Sequence, residues 1–174
     1  MQSFPASSAD TYKALARTWA ATVTIVTARR APEHIVNGAV PLDGFTATAF
    51  LTVSITPPII VVSVTAASSA LALLRESAGF AVNLLQVDQA ELAGAFARPQ
   101  AERVALWDKI TWSPDADQVP LLPGITGAFS CKVRQIVDAG DHALVLGDVT
   151  ALDLGEGEDT LVYHNRGYGR VARQ

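Results

Sequence analysis

Six short runs rich in β-branched residues, cut apart by proline, glycine and polar clusters, leave this chain few folds to choose from. Thr22–Ala28 (TVTIVTA) alternates as a half-buried strand does. Gly44–Val53 (GFTATAFLTV) alternates as well, but Phe45, Ala47, Ala49 and Leu51 on one side face Phe50 among threonines on the other, so a strand covered on both sides is expected. Pro57 and Pro58 lack backbone donors and cannot sit inside a central strand. They punctuate the start of Ile59–Val64 (IIVVSV), which reads as central and fully buried. Phe80–Leu85, Ala128–Val137 and His142–Leu152 complete the set, the last two joined by a hairpin-like DAGD turn. Leu161–His164 is a candidate for one more short strand.

Helical spacing is confined to isolated stretches. Ser8 or Asp10 can cap a first helix with Tyr12, Leu15, Ala16 and Trp19 on one apolar face, ending near Ala20. A second passes through Leu71, Leu74 and Arg75 to a stop at Gly79, and a third covers Gln89–Ala97. Between them lie a polar loop with Pro32, Asn37, Gly38 and Pro41, and an irregular excursion, Arg98–Pro123, with one helical turn and with Trp107 and Trp112. Strands and helices do not alternate steadily, which favours an antiparallel barrel decorated by helices over a doubly wound sheet. With 174 residues and no internal repeat or low-complexity tract, residues 1–174 are expected to form one domain.

Charge and motif absences narrow the function. Thirteen Lys and Arg against 17 Asp and Glu give a net charge of -4, so nucleic acid is not an expected partner. No run reaches the roughly 18 apolar residues of a membrane span, and the first residues lack the basic-then-apolar order of a secretory signal. Cys131 is the single cysteine; it closes no internal disulfide, reads as a small buried apolar residue, and fits a reducing compartment, the cytoplasm. His34, His142 and His164 stand far apart, so no metal site is expected. G-x-G-x-x-G, the P-loop and the G-x-S-x-G elbow are all absent. An enzyme made from this chain would draw its chemistry from an organic cofactor.

Four segments in order carry a family resemblance. Asp43-Gly44-Phe45-Thr46-Ala47-Thr48-Ala49-Phe50 is similar to the Gly-x-Thr-Ala-Ser-Ser-Phe strand of the flavin reductase family, with Thr48 and Ala49 where two serines are commoner. Ser54-Ile55-Thr56-Pro57-Pro58, the IIVVSV run and Ser68-Ser69 resemble its Ser-x-x-Pro-Pro, buried strand and serine-containing phosphate loop. Phe80-Ala81-Val82-Asn83-Leu84-Leu85, Gln89 and Phe96-Ala97 follow at the family's spacing, and then Gly140-Asp141-His142 with Tyr163 and Tyr168. The resemblance runs from about Tyr12 to Tyr168. It implies a mainly β fold with helices, a six-stranded antiparallel split barrel of Greek-key-like order that binds FMN, with FAD also possible. It further implies NADH or NADPH as hydride donor, a homodimer, and reduced flavin passed to a partner monooxygenase.

Residue chemistry suits that implication. A flavin nucleotide presents a doubly ionised phosphate, a polar chain and a flat apolar ring. Thr46, Thr48, Ser63, Thr65, Ser68 and Ser69 offer donors; Ala47, Ala49, Ala66 and Ala67 let the backbone come close; amides at a helix start near Ser68 favour an anion. Gly44, Phe45 and Val64 adjoin these residues in the matching segments. Alternating threonines also need nothing beyond β-propensity, and Ser68-Ser69 need be no more than a helix cap. Asn83 and Phe96 are candidates whose plainer readings are a strand amide and a helix packing residue, and Tyr168 is a candidate at the ring. The resemblance sets His142 over the flavin beside the nicotinamide, a catalytic position that works by binding and orientation; a lone histidine there would otherwise be a turn residue.

The expected activity is therefore NAD(P)H-dependent flavin reduction. The alternative is a split-barrel protein that holds flavin without reducing it; a pyridoxamine-phosphate oxidase would want a cluster of Arg and Lys that the loops lack. A homodimer would also account for an odd composition, 49% apolar with only 17% charged residues against about 25% in ordinary globular chains.

Overall fold

The computed structural model describes residue 5 and residues 8–36, 41–157 and 159–172. Ser8 caps α1 (Ala9–Arg17), its hydroxyl accepting from the Thr11 amide. The first strand-like run becomes β1 (Ala21–Thr22) and β2 (Thr24–Arg30), and the second becomes β3 (Leu42–Ala47) and β4 (Phe50–Ile55). Asn37 and Gly38 of the intervening loop lie outside the described residues. β5 (Pro58–Thr65) starts at the second proline, and α2 (Ser69–Arg75), capped by Ser68, leads into β6 (Ser77–Leu84). α3 (Ala90–Phe96) and α4 (Gln100–Val104) precede a minimal hairpin, β7 (Ser113–Pro114) and β8 (Pro120–Leu121). β9 (Gly127–Ala139) and β10 (His142–Leu154) form a long hairpin; Gly140 sits at its turn with φ +67°, a left-handed conformation glycine adopts freely. β11 (Leu161–His164) and β12 (Gly167–Arg170) come last, the latter without a clear signal in the sequence.

The architecture is mainly β with helices, as expected. Its principal sheet is antiparallel, in the order β3-β2-β6-β9-β10-β5-β4, and a small sheet β1-β11-β12 lies beside it. Seven strands stand where six were expected because Gly44–Val53 breaks at Thr48–Ala49. Pairing leaves β3 and β4 as the two edges and defines no closed barrel, yet those edges are joined by just these two residues. The Ser63 amide of β5 still donates to the Ala49 carbonyl at 2.9 Å, inside the break.

Burial corrects several readings. β2 is buried from Thr24 to Ala28, not half-buried, because the sheet carries apolar clusters on both faces. Val26 and Ala28 join Leu71, Leu74 and Phe80, while Ile25 joins Phe96, Leu85 and Leu122. The Thr24 and Thr27 hydroxyls are satisfied by donating to the Ala47 and Pro120 carbonyls. In β5 only Ile60, Val62 and Val64 are buried; the run alternates and one face stays half open. β4, expected to be covered on both sides, has Leu51, Val53 and Ile55 exposed. α1 stops at Arg17, not near Ala20, and its apolar face is open: Tyr12 and Leu15 are each 71% exposed. Gly79 does not stop α2, which ends at Arg75 with Glu76 as its cap; it lies inside β6, where an added Cβ would meet the Cys131 carbonyl at 3.2 Å. Among the described residues no helix is long and apolar enough to cross a membrane.

Candidate functional site

The break between β3 and β4 creates the site. Thr46–Ala49 turn from one sheet edge to the other, and the hollow they bound has a volume of about 260 Å³. Phe45 through Ala49 form one wall; Ser63, Val64 and Thr65 from β5, Ser68 and Ser69 at the start of α2, and His142 at the start of β10 complete it. β5 and β10 bring their polar ends together because His142 and Thr65 are directly opposed in the antiparallel register. Eleven of the candidate residues are thus assembled from four separate parts of the chain.

The hydroxyls are not equivalent. Ser68 Oγ donates to the Thr65 carbonyl at 2.7 Å and accepts from the Leu71 amide at 3.2 Å, and Thr46 Oγ1 donates to the Ala93 carbonyl at 2.6 Å. Their protons are spent on the fold. Thr48 and Ser63 hydroxyls have no hydrogen-bond partner among the described residues, so they remain free to bind.

Arg103 lines the same hollow and carries the charge that the sequence reading did not place there. It lies in α4, inside the stretch read as irregular, and nothing in its local sequence sets it apart. Its guanidinium is gripped from behind: Nε and Nη2 donate to the Asp43 carboxylate at 3.2 and 2.7 Å, and Nη1 donates to the Arg98 carbonyl at 2.7 Å. Asp43 also accepts from the Gly44 amide and Gln100 Nε2. Nη2 further reaches Ser69 Oγ at 3.4 Å, which leaves the serine proton available to a ligand. A fixed cation and free hydroxyls in one hollow are a phosphate-binding chemistry.

His142 is held at both nitrogens. Nδ1 lies 2.8 Å from Asp141 Oδ1, and Nε2 lies 3.4 Å from Thr65 Oγ1. The hydrogen bond from His142, and then its charge, draw the Asp141 carboxyl below its ordinary range. An ionised carboxylate accepts only, so Nδ1 carries a proton and Nε2 is the acceptor in the neutral ring.

Four candidate residues lie away from this hollow. Asn83 is fully buried, donating to the Ile25 carbonyl at 3.0 Å and Thr27 Oγ1 at 3.1 Å and accepting from the Leu122 amide at 2.9 Å. Phe96 is fully buried, edge-on to Trp107 at 5.4 Å. Gly44 packs beneath it, since a Cβ there would stand 3.0 Å from the Phe96 ring. Tyr168 packs on Tyr163 at 5.3 Å, and the two border an adjoining hollow of about 200 Å³ that shares Thr46 and Thr48 with the first. Burial, and then Tyr163, raise the Tyr168 phenol above its ordinary range.

The model of the flavin reductase like domain matches residues 16–172. The chain is 34% identical over 166 residues to an NADH:FMN oxidoreductase of Rhodococcus erythropolis, covering 93% of this chain and 81% of that one. It is 38% identical over 106 residues to the reductase component of a flavin-dependent trigonelline monooxygenase of Acinetobacter baylyi, covering 61% of this chain but only 33% of that relative's length. The crystal structure of the flavin reductase component of a bacterial two-component tryptophan halogenase superposes with a TM-score of 0.81 at 28% identity, covering 95% of this chain and 99% of that one. The chain belongs to the flavin reductase like domain family.

Proposed function

We propose that this protein is an NAD(P)H-dependent flavin reductase that passes hydride to FMN, with FAD as a second acceptor, and delivers reduced flavin to a partner monooxygenase. The observation that carries the reading is the single hollow in which a buried guanidinium, free hydroxyls and an oriented imidazole meet a wall of small residues. Relatives named as an NADH:FMN oxidoreductase and as reductase components of two-component systems support it.

The residues fit a flavin mononucleotide. Arg103 and Ser69 would hold its phosphate, with Thr48 and Ser63 on the polar chain, while Ala47, Ala49 and Tyr168 would border the flat ring. When bound, the flavin supplies a two-electron hydride acceptor that the side chains themselves lack. The contribution of His142 is orientation: its ring, fixed by Asp141, gives the nicotinamide a defined edge to dock against. No proton need come from the enzyme for that transfer.

The same reading completes the architecture. β3 and β4 act as two halves of one bent strand, so that the sheet closes into a six-stranded split barrel of Greek-key-like order over one domain. The working unit is a homodimer, and the compartment is the cytoplasm. Anaerobic addition of NADH, and separately NADPH, to protein with FMN is the direct test: the flavin absorbance bleaches faster than in a protein-free control. If the protein binds FMN but neither donor bleaches it, a non-reducing flavin carrier replaces this reading.

A further inference from the structure

Beside the flavin hollow lies a second, larger cleft, about 630 Å³, between α1 and the β3–β4 break. The two share Thr48 and Ala49 as a common wall. Lys13 and Arg17 line the cleft one helical turn apart, and neither side chain has an ion pair among the described residues. Like charges at that spacing repel and weaken a helix. In a chain of net charge -4, these two exposed side chains put unpaired positive charge on one wall of the cleft. Among the described residues no carboxylate lines the cleft.

The remaining walls are aromatic. Tyr12, 71% exposed, and Trp19, 77% exposed, face the cleft with Tyr163, over a floor of Ala16, Ala21 and Ala49. Large rings left this open are ready to stack on a flat partner, and adjacent cations are ready to meet its phosphates. A ligand combining a flat base with a pyrophosphate, attached to something that lies in the flavin hollow, answers every feature of the cleft.

We infer that the α1 cleft binds the adenosine diphosphate portion of a dinucleotide whose other half lies across Thr48 and Ala49. Lys13 and Arg17 take the pyrophosphate, and Trp19 and Tyr12 take the adenine. Two dinucleotides carry that group here, the nicotinamide donor and FAD. The inference rests on the flavin reductase reading only for those two substrates.

The K13A/R17A double variant tests it, since both residues are exposed on a helix that buries no side chain and the fold should be unaffected. Steady-state kinetics are run with NADH against reduced nicotinamide mononucleotide, and with FAD against FMN. Losing two charged contacts should raise KM at least about tenfold for one dinucleotide while its mononucleotide counterpart is unchanged. A rise confined to NADH assigns the group to the donor; a rise confined to FAD assigns it to the acceptor. Unchanged constants throughout, or equal rises for mononucleotide and dinucleotide, overturn the inference. Calorimetric titration with ADP needs no turnover and separates failure of this inference from failure of the flavin reductase reading. Wild-type protein should bind ADP and the double variant should not. Absent or equal binding, or a variant altered only in its oligomeric state, counts against the cleft.

Discussion

Arg103 Nη2 donates to Asp43 Oδ2 at 2.7 Å with both side chains buried, so the guanidinium lining the candidate hollow is aimed by a carboxylate 60 residues earlier in the chain. The pair has two duties, support of α4 against β3 and presentation of charge, and they can be separated. Arg103→Ala would leave Asp43 buried without its cation, a loss of about 3–5 kcal/mol that would confuse stability with binding. Arg103→Lys keeps the charge but loses the fork. With this variant KM for FMN should rise about tenfold, while riboflavin, which has no phosphate, should be reduced as by wild type. Equal effects on both flavins would place Arg103 outside the phosphate site.

His142 should govern the donor rather than the flavin. His142→Ala removes the ring that Asp141 orients but leaves Arg103, Ser63, Ser69 and the Thr46–Ala49 wall in place. The expected result is a KM for NADH raised roughly tenfold, the loss of one to two oriented contacts. The FMN dissociation constant, followed by flavin fluorescence, should change less than about twofold. Unchanged donor kinetics would take His142 out of the site.

Strand content, most helix positions and the Thr46–Ala49 wall were legible because each rests on local chemistry: β-branched alternation, a Ser8 or Ser68 cap, prolines that cannot donate. The break at Thr48–Ala49 was not, because residues on both sides of it have the same β-propensity and only the closing of β4 onto β5 bends the chain there. Arg103 was invisible for a related reason. Its meaning comes from Asp43, which no helical or strand period connects to it. Asn83 illustrates the converse. Its segment matched the family, but its amide is consumed by Ile25, Thr27 and Leu122, a long-range network that spacing alone does not reveal.

Cys131 gives the fold a signature in alkaline solution. Burial first, then Asp115 and Asp148, push its thiol up from 9.0 to about 12. The neutral thiol is thus favoured in the native state, and its contribution to stability is complete below pH 9. As pH rises from 9 towards 12 the unfolded chain ionises first, and that contribution is progressively lost. Denaturation midpoints should fall over this interval in wild type and fall less in Cys131→Ala. A thiol reagent at pH 8 should label Cys131 at the rate of global unfolding; labelling as fast as that of a free thiol would contradict its burial.

The exposed apolar edge at β4 argues for a second chain. Leu51, Val53 and Ile55 lie along this edge strand and are 61%, 52% and 92% exposed, on both of its faces because the register with β5 slips at Val53. An apolar edge of this kind is an aggregation hazard unless it is covered. Sedimentation of wild type should therefore give twice the chain mass down to low concentration. Val53→Asp places a charge in the middle of this apolar edge and should shift the protein to monomer with its circular dichroism retained. A wild-type monomer, or a V53D dimer as stable as wild type, would mean that the apolar surplus of this chain is covered elsewhere.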